Sequence, residues 1–225
     1  MKRTKLIDRL LPNYTFGEEV FNMVTHIVGG AFGIVCLITC LIISYSHGDV
    51  YGIVGSYIYG ISMILLYTIS SLYHGLKPKT AKKVFQILDH CTIFLLIAGT
   101  YTPILLTSIR KVNPPLAWCL FGFVWGVSAI GIVLNAIDLK KYSKFSMLCY
   151  LMLGWCIFFG GEAAIKALPF TAFVYILSGG VAYTIGAVFY GLGKKMHWKY
   201  IHSVFHIFVV LGSIIQYIGV AFYIL

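Results

Sequence analysis

Long apolar stretches, each about the length of a bilayer crossing, alternate along this chain with short polar connections. A helix needs about 20 consecutive apolar residues to traverse the hydrocarbon core. Stretches of that length occupy residues 22–46, 52–72, 85–107, 115–134, 145–163, 170–192 and 201–225. The connections between them are short, so consecutive helices should be antiparallel neighbours. The pattern predicts an all-α membrane protein, a seven-transmembrane-helix bundle over 22–225, preceded by a basic cytoplasmic segment over 1–21. In that segment Leu6, Ile7, Leu10 and Leu11 recur at helical spacing among Lys2, Arg3, Lys5 and Arg9. This suits a short helix lying on an anionic membrane face, with a frayed basic tail as the alternative. The segment lacks the apolar core of a cleavable signal peptide, so the first stretch is expected to serve as an uncleaved anchor.

Composition supports the lipid environment. Charged residues make up 11% of the chain and hydrophobic residues 60%, against about 25% charged in soluble domains. The net charge of +10 does not point to nucleic acid. The basic residues form short clusters beside the apolar stretches and not one stripe on a soluble face. The leader, the 77–83 connection, the 140–144 connection and the 194–199 connection carry fourteen Lys and Arg; the opposite connections carry only Arg110, Lys111 and Lys166. By the positive-inside rule the rich side is cytoplasmic, which places the N-terminus inside and the C-terminus outside a cell membrane. Such alternation requires an odd number of crossings. The six cysteines lie in or beside apolar stretches and form no Cys-x-x-Cys pair, so they read as small buried hydrophobes. Gly29, Gly30, Gly33, Gly179, Gly180, Gly186 and Gly191 mark expected packing faces, and Pro103 should kink the third span.

Polar groups inside a span are costly and need partners. Glu19, Asn22 and His26 begin the first stretch, Ser70 and His74 end the second, Asp89 and His90 open the third, and His202 and His206 open the seventh. With the orientation above, all fall at the cytoplasmic ends of four different helices. His202 and His206 are four residues apart and share a helix face, as do Ser70 and His74. Two imidazoles from one helix and one from another form a three-nitrogen set, the ligand number of a catalytic zinc site that leaves its fourth position open. Other divalent ions also suit imidazole. Asp89 is placed to act as general base and Ser70 to orient a water or a carbonyl. His90 lies about 100° around the helix from Asp89 and is read as a packed or interfacial residue, while His47 and His197 read as solvated loop residues. Glu162 and Lys166, one turn apart, read as an ion pair.

These segments resemble a known family. Glu19-Val-Phe-Asn22 followed by His26, Ser70-Ser-Leu-Tyr-His74, the run from Leu88 to Pro103, the run from Gly179 to Tyr190 and the run from His202 to Ser213 are similar to the hemolysin III family. That family is the bacterial branch of the progestin and adipoQ receptor family, in the alkaline ceramidase-like superfamily. The resemblance spans nearly the whole chain from Glu19. It implies an intramembrane zinc held by His74, His202 and His206, with Asp89 binding the water, Ser70 beside the metal, and Glu19, Asn22 and His26 supporting the ligands. It also implies a zinc-dependent hydrolase of ceramide-like amide bonds, with a membrane lipid as substrate or ligand. Two alternatives stand beside it. One is a hemolysin-type membrane-permeabilising protein, against which no line of charges through the bundle is seen. The other is a non-catalytic regulator of membrane lipid state with structural zinc, for which His26 would supply a fourth ligand.

Overall fold

The computed structural model describes residues 3–196 and 198–225, without the side chains of Lys194 and Lys195. Lys2, His197 and those two side chains, which entered the charge count and the loop expectation, lie outside the described residues. Among the described residues the chain is all helical: α1 Phe16–His47, α2 Val50–Gly75, α3 Lys79–Pro103, α4 Pro114–Gly154, α5 Gly161–Ala167, α6 Phe170–Met196 and α7 Ile201–Tyr223. Among the described residues six helical segments are long and apolar enough to cross a membrane.

Helix α1 starts six residues earlier than its apolar stretch, at Phe16, because Thr15 and Glu18 cap it reciprocally. Glu18 Oε2 accepts from Thr15 N at 2.8 Å, and Thr15 Oγ1 accepts from Glu18 N at 3.3 Å. It ends at Gly48, whose φ of 65° is the left-handed conformation that terminates helices. The expected close packing of α1 on α2 is present: a Cβ on Gly29 would lie 2.6 Å from the Tyr67 ring. Among the described residues nothing lies within 4 Å of a Cβ placed on Gly191, so no packing face is seen there.

Pro103 does not break the third span. It closes α3, and the chain continues as a π-helical turn, Ile104–Ile109, and a last turn, Arg110–Val112. The wider turn absorbs a residue that supplies no backbone donor.

Helix α4 is a hairpin. Asp138 has φ −157° and ψ 92°, outside helical values. A straight helix would separate Asn135 from Tyr150 by about 22 Å, yet Asn135 Nδ2 donates to the Tyr150 hydroxyl at 3.3 Å and Ser146 Oγ donates to Asn135 Oδ1 at 2.6 Å. The two arms, 114–137 and 139–154, therefore lie side by side. Beyond the second arm the expected continuous helix over 145–163 gives way to a 3-10 turn, Cys156–Gly160, and the short α5. The Tyr101 hydroxyl stands in for the lost helical bonds there, donating to Gly154 O at 2.9 Å and accepting from Ile157 N at 3.0 Å.

The leader is tied to the turn of this hairpin. Asp138 Oδ2 accepts from Thr4 N at 2.8 Å, and its Oδ1 accepts from Lys141 N at 3.2 Å, capping the second arm. Arg3 Nε and Arg9 Nη2 both donate to Ile137 O, at 2.9 and 3.2 Å, placing cations at the negative end of the first arm. These ties explain a departure from expectation. Leu6–Asp8 form a single 3-10 turn in place of a short amphipathic helix, and Ile7 and Leu10 are exposed while Arg9 is buried.

Candidate metal centre

The polar residues of four helices meet at one end of the bundle. On α7, His202 and His206 lie one turn apart with their Nε2 atoms 3.1 Å from each other. On α2, His74 faces them, its ring centroid 5.5 Å from that of His202 and 4.9 Å from that of His206. One nitrogen from each of the three lies within 4.8 Å of the others. Ser70, one turn before His74, is 1% exposed, and its Oγ has no hydrogen-bond partner among the described residues.

The tautomer of His74 follows from its partner. Its Nδ1 lies 2.7 Å from Glu19 Oε2. A carboxylate only accepts, so Nδ1 carries the proton, and in the neutral ring Nε2 presents its lone pair. That Nε2 is buried and has no hydrogen-bond partner among the described residues. A lone pair held toward two other imidazoles, by a carboxylate on the far ring nitrogen, is the arrangement that holds metal-ligating histidines. The donor set of three imidazoles suits zinc.

Asn22 and His26, expected to support the ligands, meet α7 in two different ways. Asn22 Oδ1 accepts from Ser203 Oγ at 2.6 Å, tying α1 to α7 beside His202. His26 stacks on His206, with centroids 3.8 Å apart and planes at 16°, and the Tyr67 ring meets it edge-on.

Asp89 lies away from the three clustered nitrogens but lines the same cavity as Ser70, His202 and His206. This cavity, about 140 Å³, runs between α3, the second arm of α4, α6 and α7 and reaches Gln216. Gln216 is ten residues, roughly 15 Å, along α7 from His206. His90 also lines the cavity, with Nδ1 2.9 Å from Gln86 O and 3.8 Å from Asp89 Oδ2. Its separation from Asp89 around the helix does not take it out of the site, because the cavity wraps that side of α3. His47 is not simply solvated, since its Nδ1 lies 2.8 Å from Leu225 O. Glu162 and Lys166 form the expected pair at 2.7 Å, well exposed, where such pairs contribute little.

Three contributors escaped the sequence reading. Glu18 Oε1 accepts from Tyr200 N at 2.8 Å, joining the starts of α1 and α7; the Thr15-x-x-Glu18 capping pattern was the available signal. Tyr14 lies on the His202 ring at 5.0 Å and 12°, and burial pushes its hydroxyl pKa upward. Lys82 Nζ lies 2.9 Å from Glu19 Oε1. Neither Tyr14 nor Lys82 carries a local sequence signal, because their partners are on other elements.

The chain matches the Haemolysin-III related family model over residues 14–217. It is 38% identical to hemolysin-3 of Bacillus cereus over 208 residues, 92% of each chain. It is 34% identical to a hemolysin-3 homolog of Bacillus subtilis over 210 residues, covering 93% of this chain and 96% of that protein. It is 25% identical to the human monocyte to macrophage differentiation factor over 210 residues, 90% of this chain and 83% of that one. With its apolar helices and this match over most of its length, the chain is a multi-pass cell-membrane protein and belongs to the haemolysin III-related family.

Proposed function

We propose that the protein is a zinc-dependent hydrolase of lipid amide bonds, of ceramide-like type, working near the cytoplasmic face of the membrane. The observation that carries the reading is the unpartnered Nε2 of His74 beside His202 and His206, at the head of a cavity lined by Asp89 and Ser70. His74, His202 and His206 would hold the ion. When bound, zinc would acidify a water and polarise a carbonyl. Asp89 would accept the proton from the attacking water and return it to the departing amine. Ser70 would donate a hydrogen bond to the scissile carbonyl, and its buried, unpartnered hydroxyl is consistent with that role. The cavity below would take an apolar chain, with Leu96, Ile97 and Val209 among its walls.

The topology that goes with this reading has seven crossings. The two arms of α4 would each cross, the second completed by the 3-10 turn and α5, so that the N-terminus is cytoplasmic and the C-terminus outside. The fold-back of Asn135 onto Ser146 and Tyr150 supports it. The regulator reading needs a fourth protein ligand, and the stacked ring of His26 disfavours it. The hemolysin names of the bacterial relatives suggest permeabilisation, which dye release from liposomes holding pure protein would test.

Elemental analysis of purified protein, paired with hydrolysis of a ceramide-type amide in mixed micelles, tests the proposal. About one zinc per chain with turnover is the expected result. A folded chain that binds no metal would remove the enzymatic reading.

A further inference from the structure

The start of α3 carries a lysine with an unusual set of partners. Lys82 sits in the first turn of α3, and its side chain is 12% exposed. Its ammonium lies 2.9 Å from Glu19 Oε1, donates to the backbone carbonyl of His74 at 3.1 Å, and stands 5.2 Å from the centre of the Tyr73 ring. A loop lysine that only set topology would extend into water. Here it gathers a carboxylate on α1, the last turn of α2 and an aromatic face.

We infer that Lys82 is a positioning residue for His74, acting through Glu19. The geometry divides the Glu19 carboxylate between two jobs. Oε2 faces His74 Nδ1, and Oε1 faces Lys82. With one oxygen anchored, the carboxylate cannot swing away from the imidazole. The second contact, to the His74 carbonyl, fixes the backbone of the same histidine. His202 and His206 need no such device because one helix sets both. His74 is the ligand contributed from another helix, near its C-terminal end, where a turn frays most easily. The Glu19 side chain is also largely buried, 18% exposed, and an uncompensated buried carboxylate is expensive; the ammonium offsets its charge.

The inference rests on the zinc reading for its consequence but not for its test. In full-length protein purified in detergent, the ring-nitrogen NMR signals of His74 report which nitrogen bears the proton, with no metal present. The unsubstituted chain should show the Nδ1–H form, Lys82→Met a mixture, and Lys82→Arg the Nδ1–H form again. Lys166→Met, from the exposed pair on α5, should change nothing. Zinc competition titrations on the same proteins should show about 10-fold weaker binding in Lys82→Met, in the range for partners that orient a ligand, with Lys82→Arg close to the unsubstituted chain. An unchanged His74 tautomer in Lys82→Met would overturn the inference, whatever the affinity. Absence of zinc binding in the unsubstituted chain would defeat the zinc reading, and the tautomer measurement would still decide the role of Lys82.

Discussion

The ring of His26 lies flat on the ring of His206, 3.8 Å between centroids and 16° from parallel. Lone pairs lie in the plane of an imidazole, so two stacked rings aim along side-by-side lines and do not converge on one point. His26 does not belong to the cluster of His74, His202 and His206, and on the proposed reading it is not a ligand. His26→Phe keeps the stacked shape and should retain about one zinc per chain by elemental analysis. His202→Ala and His206→Ala should each lose it. Loss of zinc in His26→Phe would make the site a four-histidine one and favour a structural metal.

Asp89 shares the cavity with His202 and His206 but is not part of the cluster formed by His74, His202 and His206. On the proposed reading its substitution separates binding from chemistry. Asp89→Asn should retain the metal and lose turnover by about 10²-fold or more, the scale of a missing general base. Ser70→Ala, which removes only a hydrogen bond, should slow turnover by less. A fully active Asp89→Asn protein would sink the mechanism.

The hairpin of α4 sets the side on which its turn emerges. If each arm crosses, Ser143 and Leu10 lie on one face of the membrane and Lys166 on the other. Single cysteines at Ser143, Leu10 and Lys166, in a background without Cys119, can be labelled in oriented vesicles by an impermeant maleimide. Ser143→Cys and Leu10→Cys should react from the cytoplasmic side only, and Lys166→Cys from the opposite side only. Labelling of Ser143→Cys and Leu10→Cys from opposite sides would require a different path through α4.

The histidine cluster was legible because helical spacing is a local property. His202 and His206 share a face by their separation alone, and the same holds for Ser70 and His74. That α2 and α7 bring their histidines together was expected from charge alternation, which orders helix ends without any tertiary detail. What could not be read was contact between elements far apart in sequence. Lys82 looked like one more cytoplasmic charge, yet it faces Glu19. Helix breaks were also hidden. The stretch over 145–163 is apolar throughout, and its break at Gly154 depends on the Tyr101 hydroxyl, which arrives from α3 to replace the lost backbone bonds. The leader's apolar spacing suggested a helix, but its ties to the hairpin turn, through Arg3, Thr4 and Arg9, override that local pattern.

Asp138 holds the turn of the hairpin and should give the fold a measurable acid sensitivity. Hydrogen bonds from the backbone amides of Thr4 and Lys141 hold its carboxyl down at about 2, below the usual value of about 3.9 for an unfolded chain. A carboxyl whose pKa is depressed on folding stabilises the fold fully above the unfolded value, and that contribution fades as pH falls toward the folded value. Asp138→Ala removes the cap of the second arm and the anchor of Thr4, and should cost about 1 kcal/mol at pH 7. The gap in melting temperature between the unsubstituted chain and Asp138→Ala should stay constant from pH 7 to pH 5 and narrow between pH 4 and pH 2. Asp138→Asn keeps an acceptor oxygen for only one of the two amides and cannot ionise, so it should fall between the two at pH 7 and show no such narrowing against Asp138→Ala. A gap that stays constant, or widens, as the pH drops through this window would mean that the ionised carboxylate does not secure the leader to the turn.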